Sequence, residues 1–263
     1  MVTITRKSRL PEVNIKGILF DKDGTLLDFH SVWLTLAKQL VEAIVTKTGF
    51  KNRLLEEKLL RSVGVCGTVI ESNGILAGGT TKEMAKAFCQ FVDIDALGYS
   101  TFSSFHEWLS QEMVELTKQN IDSVQPTTDL QATLSQLIDK NIILGIATAD
   151  DLATTILCLD KLNIGQFFSF VGAADNVPKP KPDPVTLQHF CRKFGLESSE
   201  VIVVGDTLKD ISLARNANAG LAVGVLSGVS SEDDLMPVAD IVIPTISHLL
   251  NDDGEFIWNT KSE

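Results

Sequence analysis

The chain has 263 residues, 44% of them hydrophobic and 22% charged, enough to bury a sizeable core in one large domain or in a core plus a smaller unit. Its net charge of −11 argues against nucleic acid and anionic membrane surfaces as main partners, yet it permits an anionic substrate in a cleft where lysines and a metal reverse the potential. Cys66, Cys89, Cys158 and Cys191 are scattered without a C-x-x-C, which speaks against a zinc site or a redox pair and for free thiols in a reducing compartment.

Residues 1–16 mix charges with Pro11 and lack the apolar segment of a secretory signal. No stretch is long and apolar enough to span a bilayer, so a soluble cytoplasmic protein is expected. The first apolar run, residues 16–20, predicts a buried strand. It ends in Asp21-Lys22-Asp23-Gly24-Thr25. A carboxylate directly after a buried strand is costly unless it is paired or holds a metal. By themselves, these residues also suit a strand end closed by an Asx-type turn.

From residue 29 to 125 the pattern changes. Residues 31–46, 53–63, 81–91 and 101–118 carry apolar positions at helical spacing. Thr80-Thr81-x-Glu83 and Ser103-Ser104-x-x-Glu107 read as capped helix starts. Gly64, Gly67, Gly74, Gly78 and Gly79 mark a long loop between them, and no strand is expected here. The segment reads as a helical insertion, and Pro126 suits its return point.

Beyond it, apolar runs at 142–147, 168–172, 201–205 and 221–225, with a weaker one at 241–243, predict further strands. Helical patterns at 152–162, 184–194 and 208–217 separate them. Strand alternating with helix predicts an α/β fold with a doubly wound parallel sheet covered on both faces. The expected division is a core of residues 1–28 and 126–263, with residues 29–125 inserted as a helical cap domain.

Polar residues follow four of these strands: Asp21 and Asp23, then Thr148, then Lys179 and Lys181 in Val177-Pro178-Lys179-Pro180-Lys181-Pro182-Asp183-Pro184, then Asp206, Thr207 and Asp210. In a parallel sheet all these ends emerge on one side. Carboxylates at hard-cation distance form a Mg²⁺ site. An ionised Asp beside a cation is an available nucleophile. A lysine, a hydroxyl and backbone N–H groups hold phosphoryl oxygens, and a second carboxyl moves a proton. That inventory suits phosphoryl transfer, which asks mainly for positioning and charge stabilisation.

Together these segments resemble the haloacid dehalogenase superfamily. The resemblance lies in D-x-D-G-T at Asp21–Thr25, the strand-end Thr148, K-P-x-P at Lys181–Pro184 and G-D-x-x-x-D at Gly205–Asp210, all in order. It implies a Mg²⁺-dependent phosphatase of small phosphorylated metabolites, acting through an aspartyl-phosphate; among cap-bearing relatives the layout looks most like phosphoglycolate phosphatases. By the resemblance, Asp21 is the nucleophile and a metal ligand, and Asp23 is the general acid/base and ligates metal through its carbonyl. Thr148 binds phosphate, Lys181 neutralises charge, Asp206 binds metal and Asp210 supports it. Gly24 keeps the turn open for phosphate. Relatives that cleave carbon–halogen or carbon–phosphorus bonds lack the second Asp, so Asp23 points to phosphate esters. Many relatives carry Asn after the second-motif hydroxyl; here it is Ala149, which leaves a backbone N–H to serve. Lys179 also precedes a proline, so spacing does not separate it from Lys181. A phosphomutase of the β-phosphoglucomutase type, or a catalytically idle binding protein of the same fold, are the alternatives. The sequence specifies neither the substrate nor an oligomeric state.

Four kinds of residue read as structural. His30, His106, His189 and His248 are isolated; Asp150 and Asp151 suit a helix N-cap; Arg53, Arg61, Lys82 and Lys86 suit a solvated cap face; and Trp33, Trp108 and Trp258 suit packing. Residues 74–80 either face the cleft or merely connect helices.

Overall fold

The computed structural model of the chain describes residues 4–6, 10 and 13–259. The remaining residues, at the two ends of the expected core and within the N-terminal stretch read as lacking a leader, lie outside this description. In chain order the strands are β1 (Thr5–Arg6), β2 (Gly17–Phe20), β3 (Val65–Cys66), β4 (Val69–Ile70), β5 (Ile143–Ala147), β6 (Phe170–Gly172), β7 (Val201–Gly205), β8 (Leu221–Val225) and β9 (Ile241–Ile243). The helices are α1 (Phe29–Lys47), α2 (Arg53–Ser62), α3 (Ile75–Gly78), α4 (Thr81–Phe88), α5 (Phe102–Gln119), α6 (Leu130–Asp139), α7 (Leu152–Lys161), α8 (Val185–Phe194), α9 (Leu208–Asn216) and α10 (Glu232–Leu235).

Seven strands form one sheet in the order β1-β9-β8-β7-β2-β5-β6. β1 pairs antiparallel with β9, and the other neighbours are parallel. The α/β fold with a doubly wound parallel sheet is therefore present. β2 lies between β5 and β7, so the chain winds outward from it in both directions. This is the switch point where open α/β sheets form their ligand crevice.

Alternation along each strand divides the core in two. Ile18, Phe20, Leu144, Ile146, Ile202 and Val204 join one apolar cluster with α1 and α5–α7. Leu19, Ala147, Val201 and Val203 join the other, with α8 and α9. The central strands β2, β7 and β8 are buried on both faces, which is why they read as continuous apolar runs rather than alternating ones. On the second face, Phe190 of α8 lies over Gly17 and Gly145, where an added Cβ would approach its ring to 2.8 Å. Glycine there lets helix and sheet close up.

Between β2 and β5 the chain leaves the sheet for α1–α5. It departs and returns at one place: the Asp28 N–H donates to the Gln125 carbonyl at 2.9 Å, and Leu27 bridges Pro126. Asp28 accepts from the His30 N–H and caps α1. Thr80 and Glu83 form the expected capping box on α4. Three details differ from the sequence expectation. The cap of α5 is Thr101, whose extended backbone lets it accept the Ser104 N–H while Ser104 reciprocates, so the start lies two residues before Ser103. The glycine-rich loop carries a two-stranded hairpin, β3–β4, which turns at Gly67, whose φ of 66° suits glycine. Helix α6 is additional, although Leu130, Leu134 and Leu137 carry its spacing and are buried. Among the described residues no helix is long and apolar enough to cross a membrane.

Candidate active site

Asp21 continues β2, its N–H donating to the Val204 carbonyl at 2.8 Å. That bond holds its carboxylate beside the end of β7, where Asp206 is fully buried. The Val229 N–H donates to Asp206 Oδ2 at 2.8 Å. Gly24 and Gly228 press against the Asp206 carboxylate so closely that a Cβ on either would collide with it. Gly24 also sits at φ 78°, so two separate reasons demand glycine there. Asp210 lies in the first turn of α9. Its Oδ2 accepts from the N–H and hydroxyl of Thr207, at 3.0 and 2.6 Å, in a capping box.

Lys181 joins these carboxylates. It comes from the proline-rich loop between β6 and α8, and its Nζ lies 2.6 Å from both Asp21 Oδ1 and Asp210 Oδ1. Lys179 points outward and pairs with Asp183 at 3.3 Å. The structure thus separates two lysines that spacing could not.

Carboxylate oxygens of Asp21, Asp206 and Asp210 all lie within 4.8 Å of one another. Three buried carboxylates share one ammonium, leaving excess negative charge. Burial pushes the Asp21 carboxyl up to about 7, with Asp210 adding to the effect and Lys181 opposing it. Burial also holds Asp206 well above the usual carboxylate range, reinforced by Asp21. Burial works against the Lys181 ammonium, but Asp21 and then Asp210 outweigh it and raise its pKa. Asp206 Oδ1 is buried and has no hydrogen-bond partner among the described residues. An orphaned anionic oxygen beside two further carboxylates, all hard donors, fits Mg²⁺. Asp21 and Asp206 would hold the ion, with Asp210 in reach.

Thr148 and Ala149 follow β5 at the same end of the sheet and line the cavity together with Asp21, Asp23 and Lys181. The Thr148 N–H donates to the Gly172 carbonyl, and its Oγ1 accepts from the Asp150 N–H. Asp21, Asp23, Gly24, Thr148, Ala149, Lys181, Asp206 and Asp210 therefore gather at one end of the sheet, around the β2 switch point.

A second charged cluster adjoins the first, and its members differ from the sequence reading. Lys22 follows Asp21 just beyond the end of β2 and is fully buried. Its Nζ lies 2.6 Å from Asp23 Oδ1 and 2.9 Å from Asp150 Oδ2. Trp33 Nε1 donates to the same Asp23 oxygen at 2.7 Å, and its ring centroid is 5.0 Å from Lys22 Nζ. Trp33 therefore has a polar task besides packing. Asp150 is an ion-pair partner and not a cap, because a buried lysine needs a counter-charge. Asp151 occupies the N-cap position of α7 without a side-chain bond, and Asp175 instead accepts from the Leu152 N–H. The available sequence signal was a lysine set inside an otherwise buried run.

The helical segment closes the site. Phe29, Trp33, Leu76, Met84 and Met113 line the cavity, with Gly78, Gly79 and Thr81. The space enclosed is about 30 Å³, room for a water or two and no more. Glu83 of α4 reaches Lys209 of α9 at 3.6 Å across the gap. His30 is exposed, and Arg53, Arg61, Lys82 and Lys86 are exposed as well and do not line the cavity. A larger groove of about 640 Å³ runs along α1 and α2, but its Lys38, Glu42, Arg53, Glu57 and Arg61 alternate in sign and stand in solvent. It gathers no converging chemistry.

Residues 15–218 match the family model described as haloacid dehalogenase-like hydrolase. Among curated proteins, the phosphoglycolate phosphatase of Vibrio parahaemolyticus is 27% identical, over 92% of this chain and 97% of its own. The N-acetylmuramic acid 6-phosphate phosphatase of Pseudomonas putida is 25% identical, over 84% and 88%. The crystal structure of a predicted phosphoglycolate phosphatase from Haemophilus somnus superposes with a TM-score of 0.68 at 18% identity, covering 91% of this chain and 98% of that one.

Proposed function

The chain belongs to the haloacid dehalogenase-like hydrolases, and on that premise we propose that it is a Mg²⁺-dependent phosphatase of a small phosphate monoester, of phosphoglycolate or sugar phosphate kind. The observation that carries this reading is the buried Asp21–Lys181–Asp210 bridge beside the orphaned oxygen of Asp206, with Asp23 adjoining.

Each residue then has a task. Lys181, the Thr148 hydroxyl and the Ala149 N–H hold the phosphoryl oxygens. Gly24 leaves them room to approach. A carboxylate oxygen of Asp21 attacks phosphorus as the ester P–O bond breaks, and Asp23 gives its proton to the departing alcohol oxygen. Asp23 next takes a proton from water, whose oxygen attacks phosphorus as the Asp21–phosphorus bond breaks. The site returns to its starting state with alcohol and inorganic phosphate released. Asp21 and Asp206, the Asp23 carbonyl and the nearby Asp210 would hold Mg²⁺. When bound, the ion supplies positive charge opposite the phosphoryl oxygens.

Residues 29–125 act in this reading as a cap domain that shuts water out while Asp21 carries phosphate. A small phosphorylated metabolite is the partner, and the cytoplasm the compartment. The intact set of Asp21, Asp23, Lys181, Asp206 and Asp210 argues against a catalytically idle protein. No feature of the cavity favours a mutase.

The test is phosphate release from small esters with Mg²⁺, with chelator, and with Asp21→Asn. We expect turnover that needs the metal and is lost in the variant. Turnover indifferent to either change would refute the mechanism.

A further inference from the structure

On the reading of this chain as a phosphatase, we infer that the helical wall selects an ester whose alcohol part is short, uncharged and hydroxyl-bearing. Of the two kinds proposed above this narrows the substrate to the sugar phosphate kind, and a carboxylate in that position, as in phosphoglycolate, is disfavoured. On that reading Lys181 and Thr148 fix the phosphoryl group on the core side, so the alcohol part points at the wall, which draws back to admit it because the closed cavity holds only about 30 Å³. There it meets Phe29, Leu76, Met84 and Met113, with Thr81 as a hydroxyl-bearing residue of the same lining.

The charges near this wall are already matched. Lys181 is held by Asp21 and Asp210, and Lys22 by Asp23 and Asp150. Lys209 reaches Glu83 instead of the cavity. The first turn of α4 faces the cavity at Thr81, and a helix start attracts anions. Here, however, Glu83 already supplies that anion, its Oε2 accepting from the Thr80 N–H at 2.8 Å. An incoming carboxylate would therefore leave water for apolar side chains, with Asp23 and Asp150 as its neighbours in the cavity lining. An unpaired charge in such surroundings is strongly penalised. A neutral hydroxyl loses little on the same surface and can bond to Thr81.

A matched pair of substrates tests this. 2-Hydroxyethyl phosphate and 2-phosphoglycolate have nearly the same length and differ at the far end, hydroxyl against carboxylate. With Mg²⁺ present, kcat/KM should favour the hydroxyl ester by about 100-fold. Met84→Lys, which puts a cation into the wall, should narrow that ratio at least about tenfold by raising turnover of phosphoglycolate. Equal turnover of the two esters, or a preference for phosphoglycolate, overturns the inference and leaves the phosphatase reading standing. Acetyl phosphate reports on the core chemistry alone. Its hydrolysis with both esters untouched overturns the inference only; its persistence together with both esters overturns the phosphatase reading and this inference with it.

Discussion

Two buried lysines make a natural comparison. Lys181 and Lys22 each sit between two carboxylates, each within 2.9 Å, and each is shut off from solvent. Their surroundings differ. Lys181 bridges Asp21 and Asp210 beside an Asp206 oxygen that has no partner, so its cluster is incomplete and can receive a ligand. Lys22 is sealed beneath the Trp33 ring, and the tryptophan N–H supplies a further donor to Asp23. On the proposed mechanism the first cluster holds the attacking carboxylate, while the second holds Asp23, the proton carrier, in place through Lys22 and Trp33.

The sharpest way to break the comparison is to remove each ammonium in turn. Lys22→Met leaves Asp23 and Asp150 without their counter-charge and should lower stability by about 3–5 kcal/mol, seen as a reduced denaturation midpoint. Adding Asp150→Asn should return part of that loss; a double variant as unstable as the sum of its parts would show that the pair is not coupled. Lys181→Met should act mainly on rate, cutting kcat about 10²–10³-fold with Mg²⁺ present. Lys22→Met should also lower kcat through Asp23, but by less than Lys181→Met at equal folding; the opposite order would overturn the assignment.

Trp33 sharpens the contrast further. Trp33→Phe keeps the packing and deletes one hydrogen bond to Asp23, worth about 1.5–3 kcal/mol for a charged acceptor. Turnover of alkyl phosphates, whose leaving oxygen needs a proton, should fall about tenfold or more. In kcat/KM, which reports the attack by Asp21 and not the later water step, acetyl phosphate should be nearly unaffected, since its leaving carboxylate needs no proton. Loss of equal size on both substrates would assign Trp33 to packing alone.

The smallest expected effect is in thermal stability. Asp21 and Asp206 keep protons in the folded protein that the unfolded chain gives up near pH 4. Without metal, their contribution is therefore intact below about pH 4 and declines as pH rises toward 7. Mg²⁺ binding needs the ionised carboxylates, so its stabilising effect should grow across the same range. The rise in Tm on adding Mg²⁺ should be larger at pH 8 than at pH 5. An equal rise at both would mean the ion binds elsewhere.

Residues that follow parallel strands were legible before any coordinates. Asp21, Thr148 and Asp206 each terminate an apolar run, and a parallel sheet brings such ends together wherever they lie in the chain. Lys181 was half legible: its motif marked a pair of lysines, but only the folded loop shows which one turns inward. Trp33 and Asp150 were not legible as partners. One lies in a helix outside the sheet and the other in the turn between β5 and α7, and their meeting on Lys22 depends on how α1 packs over the end of β2. The β3–β4 hairpin escaped for another reason, since two-residue strands carry too few positions to show a period.

The crossing at Asp28 and Gln125 has a consequence for how this fold can vary. Because those two residues are hydrogen-bonded neighbours, the whole excursion through α1–α5 starts and finishes at one spot. A simple turn could span that spot without disturbing any pairing of the seven-stranded sheet. The excursion is thus laid out like a cassette: a longer or shorter one could join at the same two residues and leave β2 paired with β5 and β7.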